Sequence, residues 1–299
     1  MASGSSARHG PGADIGEAVR IRTLSSGPLH YVQAGQGDPV LLIHGSLCDY
    51  RYWRWQIAAL QPGHTIIAPS LRGCWPAVGR HPQKGYGVMA HARDLQELLH
   101  ALDCGAAHIV GHSRGAEVAW ALVRQAPGLC RSLTLADPGF RFADEPESPP
   151  FYAQTAITLQ QGDTTAALAE FVDTVNGADT WRKMVPWFKE MAQDNAMTLL
   201  SQVQEQRLVI TDAEMARLAL PVLLIGGAQS PAKYGQRLER LERLVPNARR
   251  TRIAMAAHGM NLANPRAFNR ALLGFFETAR CQTSSPQALQ TALPDHSGG

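Results

Sequence analysis

Gly111-His112-Ser113-Arg114-Gly115 places a serine between two glycines at the spacing a tight strand-to-helix turn demands. The apolar run 107–110 before it reads as a short buried strand, and the residues from Arg114 onward read as a helix. A serine at such a turn sits in a strained backbone conformation. The residues two before and two after it must be small, or their side chains would strike the flanking strand and helix. The turn lifts the hydroxyl clear of the sheet. It also aims the next backbone N–H and the positive end of the helix at one space, where negative charge could develop. The chemistry implied is nucleophilic attack by Ser113. A serine hydroxyl alone is a poor nucleophile, so a base must come from elsewhere in the chain.

The frame that must hold this turn is read from the flanking segments. Residues 19–24 and 29–33 read as two strands around a Ser-Ser-Gly-Pro turn. Residues 40–43, 65–68, 132–136 and 221–225 read as short buried strands, and 250–253 as an edge strand. Helices are expected near 50–56, over 90–102, 234–244 and 266–279. Strands alternating with helices imply an α/β fold, with a mostly parallel sheet and helices on both faces. From Phe140 to Arg217 the pattern changes. A proline-rich linker, 145–150, leads into helical segments near 151–161, 164–175, 180–193 and 198–207. The polar, Gly- and Ser-rich ends, 1–16 and 281–299, are expected to be disordered.

Composition narrows the classes. The chain has 299 residues, 45% of them apolar, and a formal net charge of +3. That supports a large core, and the Arg-rich stretch from Arg237 to Arg252 reads as exposed faces of a helix and a strand edge, so nucleic-acid binding is not expected. Five cysteines, odd in number and without a CxxC, fit free thiols in a reducing compartment. No apolar run approaches a membrane span and the N-terminus has no hydrophobic stretch, so a cytoplasmic protein is expected. A homodimer is left open.

With Leu41-Leu42-Ile43-His44-Gly45 early, Gly111 to Gly115 in the middle and Ala257-His258-Gly259 late, the sequence resembles the α/β-hydrolase superfamily. It is most similar to the esterase-like branch. The resemblance runs from about Val19 to Ala279 and implies an eight-stranded sheet. It divides the chain into a core of 17–139 and 218–280 and a helical cap of 140–217 over the site. Strands in that cap segment would remove the lid reading altogether. The superfamily's chain order is serine, acid, histidine. Only His258 and His296 follow Ser113, and His296 lies in the tail, so the resemblance makes His258 the base. The usual acid position, after the 221–225 strand, holds Ser230 and no carboxylate. Some members carry the acid one strand earlier, which here is Asp137. The oxyanion hole maps to the backbone N–H groups of Ser46 and Arg114, with Leu47 the second choice for the first donor.

His44 precedes the serine and is read as holding its loop. Asp49 is read as a helix cap. Leu47, Trp75, Phe151, Tyr152, Trp181 and Trp187 are candidates for the substrate pocket, although each aromatic could equally be packing. The resemblance implies a serine hydrolase for a carboxylic ester, or a lactone, of a small and largely apolar molecule. It implies no metal and no organic cofactor. Hydrolysis of a C–C bond on the same triad, and a ligand-binding receptor with little turnover, are the alternatives. Serine at the turn disfavours the epoxide-hydrolase and dehalogenase branches, which carry aspartate there.

Overall fold

The computed structural model describes residues 18–283 apart from Val78 and Arg80. Residues 1–16 and 284–299, both expected to be disordered, lie outside the described residues. Eight strands form one sheet in the order β1-β2-β4-β3-β5-β6-β9-β10. They are β1 (Val19–Leu24), β2 (Gly27–Ala34), β3 (Asp38–Ile43), β4 (His64–Pro69), β5 (Ala107–His112), β6 (Cys130–Ala136), β9 (Val222–Gly227) and β10 (Ala248–Ile253). Strand β2 runs antiparallel to both neighbours, and every other pairing is parallel. The central strands β3, β5 and β9 are buried almost throughout, which their unbroken apolar sequences require when both faces are covered. Strand β10, at the end of the order, keeps its arginines partly solvated.

Two layers of helix cover the sheet. On one face α2 (Val88–Leu102), α3 (Arg114–Gln125) and α10 (Ala232–Leu244) bury Leu95, Leu98, Val118, Leu122, Leu238 and Leu241. On the other, α1 (Arg54–Leu60) and α12 (Pro265–Thr283), which follows the short α11 (Met260–Ala263), bury Ile57, Leu60, Phe268, Leu272 and Phe276. The closing helix thus runs through residue 283, past the expected end of the core at 280. Asp49 does cap a short helix. Its carboxylate accepts from the Arg51 N–H at 2.9 Å, at the start of a 3-10 turn over Tyr50–Trp53.

The segment between Phe140 and Arg217 is mostly but not purely helical. It holds α4 (Ala153–Gln160), α5 (Thr164–Asn176), α6 (Thr180–Lys183), α7 (Pro186–Asn195), α8 (Thr198–Gln202) and α9 (Asp212–Ala216). Two short strands, β7 (Arg141–Phe142) and β8 (Val209–Ile210), pair in parallel where the chain leaves and re-enters the core. By the expectation stated above, these strands remove the reading of 140–217 as a helical lid; two-residue strands are too short to leave a pattern in the sequence. The helix expected over 180–193 breaks in two at Pro186, whose ring and missing N–H fit the first position of α7 but not a helix interior.

Leu168, Phe171, Met191 and Leu199 of the insertion share one apolar cluster with α1 and α12. An ionic knot ties it down as well. Arg51 bridges Asp49 at 2.7 Å and Asp194 at 2.8 Å, and the Asn195 amide donates to the buried Asp49 carboxylate at 2.8 Å.

Candidate active site

Ser113 stands between β5 and α3 with φ 54° and ψ −121°, a conformation L-residues avoid. Its flanking glycines are there by steric necessity. A Cβ on Gly115 would run into the carbonyl oxygens of Ile43 and His44, and one on Gly111 into the Gly115 carbonyl. The β3–α1 loop also comes close: a Cβ on Gly45 would stand 3.1 Å from the Ser113 Cβ.

His258 lies on the loop after β10, and Asp137 leaves the end of β6 with φ 39°. Both side chains are buried, and His258 Nδ1 lies 3.2 Å from Asp137 Oδ2. The Ser230 hydroxyl donates to the same Oδ2 at 2.6 Å. Thus the loop after β9 supplies a donor to the Asp137 carboxylate from the very position where an acid would be sought.

Burial pushes the Asp137 carboxyl up to about 7, against the downward pull of the Ser230 hydrogen bond. Burial also pushes the His258 imidazole down to about 3, with the Lys233 charge adding to the shift. A dry pocket penalises each charge taken singly. A charged imidazole beside a charged carboxylate removes part of both penalties, which is the state reached when His258 accepts a proton.

Ser113 Oγ makes no hydrogen bond among the described residues. Catalytic contacts in unliganded sites are often long and tighten with substrate. The backbone N–H groups of Ser46, Leu47 and Arg114 are likewise unpaired among the described residues, and Ser46 and Leu47 sit in the turn that faces the elbow. The Ser46 hydroxyl is engaged elsewhere, donating to Gln202 Oε1 of the insertion at 2.7 Å. His44 does hold this loop. Its Nε2 accepts from the Leu71 N–H at 2.9 Å, so the proton is on Nδ1, which donates to the Gly45 carbonyl at 2.9 Å.

Three residues at the site escaped the sequence reading. His112 donates from Nε2 to the His258 carbonyl at 2.8 Å, tying the elbow to the histidine loop. Tyr234 stacks on the His258 ring with centroids 4.4 Å apart. Asn176 of α5 accepts the Gly259 N–H at 2.9 Å. Only His112 left a trace, as the residue beside the serine; Tyr234 and Asn176 are brought in by tertiary packing.

A cavity of about 540 Å³ opens over Ser113 and His258. Leu47 and Trp187 line it, with Phe171, Val175, Met184 and Phe188 of the insertion. Phe151 and Tyr152 line a second chamber of about 270 Å³, which also reaches Ser113. Trp75 and Trp181 line neither. The Trp75 backbone N–H donates to Asn195 Oδ1 and its ring lies under the Arg51 guanidinium, 3.9 Å away. Trp181 is buried within the insertion, its backbone N–H on Asp173.

A family model described as the α/β-hydrolase fold matches residues 38–265. The chain is an α/β-hydrolase. Among solved structures, this hydrolase is similar to an esterase from Thermogutta terrifontis, at TM-score 0.71 and 22% identity over 87% of this chain and 98% of that one. It is similar to a bromoperoxidase from Bacillus anthracis, at TM-score 0.72 and 24% identity over 87% and 99%. Among curated proteins, a soluble epoxide hydrolase from Corynebacterium sp. (strain C12) is 37% identical over 92 residues, 31% of this chain. The chain matches about a third of that relative's length, 32%. Among the described residues no helix is long and apolar enough to cross a membrane.

Proposed function

We propose that this hydrolase cleaves carboxylic esters through an acyl-enzyme on Ser113. The observation that carries the reading is that Ser113 and His258, the latter backed by the buried Asp137 carboxylate, come from the ends of three different strands and bring the hydroxyl and the imidazole to one apolar cavity. Ser113 Oγ bonds to the ester carbonyl carbon as its proton passes to His258 Nε2. The carbonyl oxygen becomes an oxyanion facing the Ser46 and Arg114 N–H groups. The carbon–oxygen bond to the alcohol breaks, and the alkoxide takes the proton from His258. Water then attacks the acyl carbon, gives its proton to His258, and the acid leaves as Oγ regains a proton. Asp137 holds the imidazole with Nδ1 protonated and stabilises its charge.

Epoxide opening does not follow from the relative named above, because the elbow here carries a serine hydroxyl. A fluorophosphonate probe is expected to label the protein once and abolish turnover of 4-nitrophenyl butyrate. Labelling that persists in Ser113→Ala would sink the proposal.

A further inference from the structure

The two chambers that meet at Ser113 differ in kind. The 540 Å³ chamber is apolar and is the one that His258 lines. The 270 Å³ chamber shares Ser46, Ser113 and Phe171 with it but takes in Arg114 in place of His258, and charge lines it. Its cations are Arg114, Arg141, Arg207, Lys233 and Arg237, and its anions are Glu117, Glu145 and Glu205.

Most of these charges are already engaged. Arg114 grips Glu205 with both arms, at 3.0 and 2.5 Å. Arg237 reaches Glu145 at 3.6 Å and the Pro138 carbonyl at 3.2 Å. Arg141 donates to the Glu145 carbonyl. Lys233 and Arg207 have no carboxylate partner among the described residues. The Lys233 ammonium rests against the rings of Phe151 and Tyr234, 4.6 and 5.1 Å from their centroids. Glu117 accepts no hydrogen bond among the described residues, and burial together with the Glu205 charge pushes it up to about 7. At neutral pH it offsets only part of the surplus positive charge. That charge is felt at its neighbours: after burial, Arg237 and Arg207 hold the Lys233 ammonium below its usual range.

Which half of a substrate belongs here follows from proton transfer. The departing alcohol oxygen must receive its proton from His258, so the alcohol belongs in the chamber His258 lines. The acyl group then extends to the other side, past the Arg114 N–H. We infer that the charged chamber is an acyl-side subsite for a substrate carrying a carboxylate, held by Lys233 and Arg207, with an apolar alcohol in the larger chamber. The substrate class is therefore a half-ester of a short dicarboxylic acid. The inference rests on the ester reading above. The distal carboxylate takes no part in bond making or breaking; it positions the reacting carbonyl.

The test compares 4-nitrophenyl hydrogen adipate with 4-nitrophenyl hexanoate, which share a leaving group and differ by the distal carboxylate. The readout is the ratio of their kcat/KM values, each corrected for uncatalysed hydrolysis, at low ionic strength. A ratio is insensitive to the fraction of protein correctly folded. Loss of one charged hydrogen bond in a half-exposed site is worth about a tenfold change. The ratio should fall about 10-fold in Lys233→Met and in Arg207→Met. A ratio that stays within about twofold of the parent's in both variants overturns the subsite. Hexanoate turnover with an unmoved ratio leaves the ester reading standing and removes this one. If neither ester turns over, the ester reading fails, and calorimetric binding of monomethyl adipate decides the subsite: weaker binding in Lys233→Met supports it, and equal binding overturns it.

Discussion

The Asp137 carboxylate can be removed and then supplied from the neighbouring loop. In Asp137→Asn the amide has the size of the carboxylate. Ser230 and His258 both meet Oδ2, so an NH₂ group in that place donates toward His258 Nδ1 and turns the Ser230 hydroxyl from donor to acceptor. The imidazole must then carry its proton on Nε2, the atom that should accept from Ser113. By analogy with other triads, the wrong tautomer costs up to about 10⁴-fold in kcat, some 5 kcal/mol of barrier. Ser230→Asp supplies a replacement. The Ser230 hydroxyl is 2.6 Å from Asp137 Oδ2, which is 3.2 Å from Nδ1. The two links end to end put Ser230 Oγ within about 6 Å of Nδ1, and a carboxylate reaches about 1 Å further than a hydroxyl. Rescue will be partial, since about 1 Å of misplacement can cost 10²-fold. The double variant should recover about 10- to 100-fold of the loss. Ser230→Asp alone should lower activity, because it sets two buried carboxylates against each other and removes a donor to Asp137. The assay is kcat on 4-nitrophenyl butyrate, with the melting temperature as the check on folding. Near-parental activity in Asp137→Asn, with an intact melting transition, would refute the assignment of the acid.

Three further outcomes are expected. With Asp137 near 7 and His258 near 3, the pair holds one proton at mildly acidic pH and must lose it before His258 can accept another, so kcat/KM should fall about tenfold per unit below about pH 7. Asp137 alone would make the fold more stable as pH drops from about 7 to 3.8, and His258 alone less stable as pH drops from 6.5 to about 3. The two largely cancel between pH 4 and 6.5, so the loss should reverse on return to pH 8; a flat profile from pH 8 to 5.5 would contradict this. Trp187→Ala should change chain-length preference among esters more than it changes acetate turnover, and an equal fall on both would remove Trp187 as a selectivity residue. Arg51→Met leaves the Asp49 carboxylate buried with fewer partners, at a cost of about 2–3 kcal/mol in thermal or urea unfolding; a change below about 0.5 kcal/mol would show that the knot is not needed.

The strand pattern and the elbow were legible because each depends on local sequence. Apolar runs of four to six residues mark covered strands, and the glycine spacing around Ser113 belongs to the turn itself, where a Cβ on Gly111 would strike the Gly115 carbonyl. Asp137 could be proposed only by resemblance, since a strand-end aspartate before proline is also an ordinary turn residue. Its distance from His258 depends on the order in which β6, β9 and β10 lie side by side, which no local window encodes. The pocket was the least legible part. Trp75, Trp181 and Trp187 look alike as residues. One lies under Arg51, one is buried inside the insertion and one faces the cavity. Phe151 and Tyr152 were read as pocket residues and line the second chamber, but its charges were missed, because they come from β7, the loop after it, α3, α10 and the 205–207 stretch of the insertion.

The bond from the Gly259 N–H to Asn176 joins the roof of the cavity to the loop that carries the imidazole. Any motion that lifts α5 to admit substrate along that side breaks it. The face of the cavity built by α5 and the loop of His258 therefore share one register, and a substitution that displaces α5 also displaces the imidazole.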